Sequence, residues 1–165
     1  MKKVLIGCGI VAILGIAFFV LCIYLLFWPK SKDVSDKSPF VDIVNKTLTT
    51  KKETQILKHP SDAEYFHLED GTSYGMNPDL PISETLPIGT KVSIDKVKLI
   101  TGRVSGTTSA YLYGTVYSKE TQQTYDFRYS WGDYHTLYQD KPHWTFKQAF
   151  WQEEPLEGKY YIDVP

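Results

Sequence analysis

From Val4 to Trp28 the chain runs 25 residues without a charged side chain, between Lys2-Lys3 on one side and Pro29-Lys30 on the other. At about 1.5 Å of rise per residue such a run makes a helix of roughly 37 Å, longer than the roughly 30 Å hydrocarbon core of a bilayer. The expectation is a transmembrane anchor over 4–28, with the rest of the chain carried as cargo. A cleaved secretory signal fits less well. Its apolar core is about 7–15 residues long and ends at small residues, whereas this run closes on Leu25-Leu26-Phe27-Trp28-Pro29.

Leu5-Ile6-Gly7-Cys8 resembles the lipobox of bacterial lipoproteins, but only four apolar residues separate Lys3 from Cys8 and the long apolar run follows the cysteine. The flanking lysines, two before the run and three after it, do not orient it. A three-residue N-terminus before a long apolar run resembles an uncleaved signal anchor. That resemblance implies a single-pass protein of the cytoplasmic (inner) membrane with its domain on the extracytoplasmic side. Trp28 and Tyr24 suit a headgroup interface.

Pro29 to Pro39 has a single apolar residue, Val34, and charges of both signs. It reads as a polar linker over 29–39, with ends about 18 Å apart if it behaves as a flexible coil. Residues 40–165 then make one soluble domain, long enough to bury a core. Of the 18 Lys and Arg and 19 Asp and Glu, five basic residues (Lys2, Lys3, Lys30, Lys32, Lys37) and two acidic ones (Asp33, Asp36) precede Phe40, leaving this domain near −4. An acidic domain argues against a nucleic-acid partner, whose phosphates demand a basic face. Both cysteines, Cys8 and Cys22, lie in the apolar run. Fourteen residues along a helix is about 21 Å, too far for a disulfide within one chain.

The domain reads as mainly β: a small barrel or strongly bent antiparallel sheet with one or two short helices. Ser38-Pro39 is a helix-start signal, with Phe40, Ile43 and Val44 on one helical face. Strands are expected over Thr54 to Lys58 and Glu64 to Leu68, and a surface loop over Thr72 to Pro87. In Val92 to Ile100 the apolar phase slips by one residue between Ile94 and Val97, which predicts a bulge near Asp95-Lys96. Ala110 to Tyr117 and Tyr125 to Trp131 form the clearest hairpin. In its second strand Tyr125, Phe127, Tyr129 and Trp131 alternate with Asp126, Arg128 and Ser130, so the aromatic face is expected to be core and the polar face solvated. Gly114 in the facing strand marks a gap for a neighbouring ring or a bend. Thr145 and Gln148 match a capping box, with Phe146 and Phe150 at helical spacing, so a short helix is expected before Pro155. Gly158 to Val164 reads as a final strand.

A strand ending at Leu57-Lys58, the lead-in Leu86-Pro87-Ile88-Gly89-Thr90-Lys91-Val92 and the segment Tyr113-Gly114-Thr115-Val116 together resemble the bacterial SH3-like barrels of cell-envelope proteins. That resemblance covers about half of the domain and implies a barrel; the Asn-Val-Arg and Gly-Trp-Val stretches usual in that family are absent, and no binding residues carry over. The chain also resembles small single-pass envelope proteins of bacteria.

No catalytic signature emerges, and the protein is read as a non-enzyme with no cofactor. His59, His67, His135 and His143 match no common metal-ligand spacing, although His135 and His143 with Asp133 or Asp140 could converge. There is no thiol in the domain, no Gly-x-Ser-x-Gly and no phosphate-cradling glycine loop. Glu153-Glu154 beside Trp151 is the nearest approach to a carboxylate pair for a hydrolase. The aromatics say more: 11 tyrosines and three tryptophans, Trp131, Trp144 and Trp151, lie beyond Trp28. Tyr and Trp are favoured where a surface buries area while keeping a polar handle, and also where sugar rings stack. Tyr111, Tyr113, Trp144 and Trp151 are the candidate binding residues. The expected function is a membrane-anchored extracytoplasmic module binding another protein of the cell envelope, in an assembly, regulatory or immunity-type role; the alternative is a module binding cell-wall glycan.

Overall fold

The computed structural model describes residues 13–24, 30–60, 62–70, 80–102 and 105–165. Among these residues one α-helix, α1, covers 13–24, and eleven strands follow: β1 (Lys30–Asp33), β2 (Lys46–Thr49), β3 (Thr54–Leu57), β4 (Phe66–Glu69), β5 (Ile82–Leu86), β6 (Lys91–Thr101), β7 (Thr108–Tyr117), β8 (Thr124–Ser130), β9 (Asp133–His135), β10 (His143–Phe146) and β11 (Leu156–Tyr160).

The anchor expected at Val4 to Trp28, and with it the single pass through the cytoplasmic membrane, is corrected. Among the described residues no helix is long and apolar enough to cross a membrane. The twelve residues of α1 rise only about 18 Å, short of a bilayer core. Residues 1–12 and 25–29 lie outside the described ones.

The barrel is corrected as well. Eight strands form one mixed sheet in the order β1-β6-β7-β8-β4-β3-β5, with β2 also on β6, and the sheet does not close. The outer edge of β6 is taken by β1 at Lys98–Thr101 and by β2 at Lys91–Ile94, so no ladder edge is left there for β5 to meet. The β4–β8 pair is parallel, joining Phe66 to Phe127 and His67 to Arg128. A second sheet, β11-β10-β9, packs beside it.

The segment expected as a linker belongs to the fold. Lys30 to Asp33 pair with β6, Val34 is fully buried, and the Val97 amide donates to the Ser35 hydroxyl at 2.9 Å. The helix start at Ser38-Pro39 yields only a 3-10 turn, Phe40–Asp42, which drops the Phe40 ring into the core. Part of the expected loop Thr72 to Pro87 is strand β5; residues 71–79 lie outside the described ones.

The bulge stands where the phase slip placed it. Between Ile94 and Lys96 the β6–β7 register shifts by one, and Val92, Ile94, Val97 and Leu99 are all fully buried. One extra residue thus turns two opposed apolar pairs onto one face. Opposite the bulge sits Gly114, where a Cβ would run into the Ser93 carbonyl oxygen and the Ile94 backbone. The two main chains approach there too closely for any side chain.

The helix expected from Thr145 and Gln148 is absent. His143–Phe146 is β10, and a turn follows. The two residues that imitate a capping box tie other things: Thr145 Oγ1 meets His135 Nε2 at 2.8 Å, and the Gln148 amide donates to the carbonyls of Gln152 and Glu153. Phe146 and Phe150 still both reach the core, one from a strand and one from the turn. They join an aromatic cluster that holds the two sheets together. Phe40 meets Trp131 and Phe146 edge-on at 6.0 and 5.5 Å, and Tyr129 meets Phe150 at 5.1 Å. The Trp131 indole donates to the Lys147 carbonyl at 2.8 Å, which satisfies the one polar group a buried tryptophan brings.

Candidate functional site

Alternation divides β7 cleanly. Ala110, Leu112 and Val116 are buried on the inner face, while Tyr111, Tyr113 and Tyr117 point the other way. Register then sets Tyr113 opposite Arg128 of β8, and Arg128 beside His67 of β4, so a row of Tyr, Arg and His crosses three strands on the outer face. On a pleated sheet such neighbours are within side-chain reach.

Arg128 is the hub of this face. Its guanidinium carbon lies 5.1 Å from the centre of the Tyr111 ring, its Nε donates to His67 Nε2 at 2.9 Å, and one terminal nitrogen is 3.1 Å from Asp62 Oδ2. Asp62 is itself fixed by the amides of Glu64 and Tyr65, which donate to Oδ1 at 3.2 and 3.1 Å in a turn that leads into β4. Burial raises the pKa of Asp62, but those two amides and Arg128 outweigh it, and the net shift is downward. His59 stacks on His67 at 5.3 Å. Next to this hub, the Tyr65 ring meets Tyr113 edge-on at 4.9 Å and the Lys96 ammonium lies 5.3 Å above Tyr113. Together they border a cleft of about 220 Å³ that has Gly114 in its wall.

Burial, then the charge of Arg128, then His59 push His67 down to about 4. The ring is therefore neutral near pH 7, with Nε2 accepting from Arg128 and the proton on Nδ1. Its one basic lone pair is occupied, which suits a structural acceptor and leaves nothing to abstract a proton. The sign of the pH effect follows. Between pH 6.5 and about 4 the unfolded chain binds a proton that the fold refuses, so stability is complete above the first value and falls through that window. The urea midpoint of wild type should drop over this window, and His67→Gln should flatten that drop. An unchanged pH dependence in the variant would place His67 in contact with water. Below the window the depressed carboxyl of Asp62 takes over the loss.

Of the residues singled out from sequence, Tyr111 lies on this face half-buried beneath Arg128, and Tyr113 is 8 % exposed, covered by Tyr65 and Lys96. Trp144 is not on any surface. It is fully buried, donates its indole N–H to the Ile162 carbonyl at 3.2 Å and stacks on Tyr134. Trp151 is half-buried and packs edge-on to Tyr129, Trp131 and Phe150 at the margin of the core. His135 and His143 do meet, as a cross-strand pair with rings 5.2 Å apart, but they engage Thr145 and the Lys141 carbonyl. Among the described residues no group of three His, Cys, Asp or Glu could hold a metal ion. Glu153 is exposed and paired to Lys51 at 3.0 Å.

Arg128, Asp62 and Tyr65 were missed as site residues by sequence reading, and His67 was weighed there only among the histidines for a metal. Alternation did put Arg128 on the outer face, yet the parallel pairing of β4 with β8 that brings His67 to it has no local signal. Comparison of the chain with protein-family models, with curated proteins and with solved structures gives no match.

Proposed function

We propose that this protein is a protein-binding module that docks a partner on the outer face of β7, β8 and β4. The observation that carries the reading is the Arg128–Tyr111 pair, held rigid from behind by Asp62 and His67. Tyr and Arg are the side chains most enriched where protein interfaces draw their energy, and a pair that is already ordered gives up little entropy on binding. A glycan is the weaker candidate. Sugar rings stack on open aromatic faces, and here Arg128 covers Tyr111 while Lys96 covers Tyr113. The interspersed Asp126, Ser130 and Glu64 give the rim both charge and hydroxyls, as a protein interface has.

A photo-crosslinking residue at exposed Ser130, the register partner of Tyr111, tests this in the full chain in its native cells. Discrete adducts are expected that vanish with Tyr111→Ala, whose loss of affinity should be about 30-fold or more, the measure of a hot spot near 2 kcal/mol. Adducts no different from those of a probe at exposed Glu157 in β11 would sink the proposal. So would sedimentation with insoluble polysaccharide that disappears in Tyr111→Ala.

A further inference from the structure

A cavity of about 600 Å³ opens between the turn that follows β5 and the turn that follows β7, and none of its lining residues is one that contacts Arg128. Its volume falls within the range of small-molecule sites. Leu86, Pro87 and Ile88 form an apolar wall, with Ile88 66 % exposed at the opening, and Tyr117 and Ser118 stand opposite.

Glu84 also lines this cavity, although it is only 8 % exposed. The side chains that hydrogen-bond it are neutral; Lys91 and Lys119 also line the cavity but form no ion pair with Glu84. Ser118 Oγ donates to Oε1, and Thr121 Oγ1 donates to Oε2 at 3.0 Å. The Ser118 hydrogen is committed in that direction, because Ser118 Oγ accepts the amides of Glu120 and Thr121, each at 3.1 Å; Thr121 Oγ1 also lies 3.2 Å from the Tyr125 hydroxyl. A carboxylate has about four lone-pair sites, and two are filled. Among the described residues no Lys, Arg or His pairs with Glu84. A charge withdrawn from water without a counter-ion carries a desolvation cost, which a cation entering the cavity would offset.

We propose that this cavity binds an organic cation with an aliphatic body: the ammonium group pairs with Glu84 and the chain lies along Leu86, Pro87 and Ile88. The same chemistry is offered by a free alkylamine and by a lysine side chain presented on another protein. Hydrogen bonding to Ser118 and Thr121 alone would tether β5 without any ligand, and the charge preference of the cavity separates the two roles.

The test titrates the full chain, by protein-observed NMR, with n-hexylammonium, 1-hexanol and Nα-acetyl-lysine methylamide. Saturable shifts confined to residues 84–91 and 117–120 are expected with hexylammonium, with hexanol at least about tenfold weaker. Glu84→Gln should erase that difference. Because the substitution disturbs a buried group, Ile88→Lys provides an independent check: it sets a competing ammonium at an exposed position and should abolish amine binding with an unchanged melting temperature. Equal binding of the lysine derivative supports the proposal with a protein side chain as the source, and binding of hexylammonium alone supports it with a free amine. Hexanol binding as well as hexylammonium, amine binding unaffected by Ile88→Lys, or no saturation by about 10 mM amine, an affinity too weak to be selective, overturns it.

Discussion

Phe127→Ala is expected to lower the stability of the fold by about 3–5 kcal/mol, the range for removing a fully buried aromatic ring. Phe127 has no exposed surface and sits in β8 between two kinds of neighbour, Gly114 of β7 and Phe66 of the parallel strand β4. Gly114 has no side chain with which to fill the void, so the neighbourhood cannot collapse easily and the cost should fall in the upper half of that range. Set against a typical total of about 5–15 kcal/mol, this is a large fraction, and urea titration of the full chain would read it as an earlier midpoint at an unchanged slope. An unchanged midpoint would mean that the aromatic face of β8 is not the core. The adjacent residue makes the comparison informative. Arg128 was expected to be solvated and nearly neutral to replacement, but its side chain is only 25 % exposed and serves both His67 and Asp62. Arg128→Ala should therefore cost about 1–3 kcal/mol, the penalty for leaving a buried acceptor without its donor.

Gly114→Ala should do comparable damage with one carbon. The new Cβ would overlap the Ser93 carbonyl and press on the Ile94 backbone. Overpacking against a side chain is relieved by a change of rotamer. Here the obstacle is main chain in the middle of a ladder, pinned by β1 and β2 on its far edge. About 3 kcal/mol, the upper end of the usual overpacking cost, is the least to expect, and the bulge would have to shift register to absorb it. Denaturation midpoints, together with amide exchange in β6, check this. A variant of wild-type stability whose β6 amides keep their protection would show that the strands do not meet as closely as described.

Stretches with a strict period of two were legible in sequence, because burial on one face of a sheet leaves a mark at every second residue. Tyr125, Phe127, Tyr129 and Trp131 announced the inner face of β8, and they are all buried. The broken phase at Asp95-Lys96 announced a bulge that the register confirms. Helix signals were less faithful. Thr145 and Gln148 have the chemistry of a cap, but the same hydroxyl and amide serve a strand and a turn equally well, and tertiary contacts decided between them.

The aromatic candidates divide for the same reason. Sequence could say that Tyr111 and Tyr129 point to opposite faces of the hairpin, since β7 and β8 alternate. It could not say that Trp144 would be buried against Tyr134 within the second sheet, or that Trp151 would pack against Tyr129 and Trp131.

By itself, then, the sequence determined the β-rich class, the central hairpin with its inner face, and the bulge in β6, because each is written in residues a few positions apart. Tertiary structure alone decided that the sheet stays open and that Lys30 to Asp33 join it. It also decided that His67, Asp62 and Arg128 meet and that Glu84 ends beneath Ser118. Apart from His67 and Asp62, which are near in sequence, those contacts link positions 34 to 71 residues apart. Bringing such distant groups together is an outcome of competing strand pairings, which no local pattern encodes.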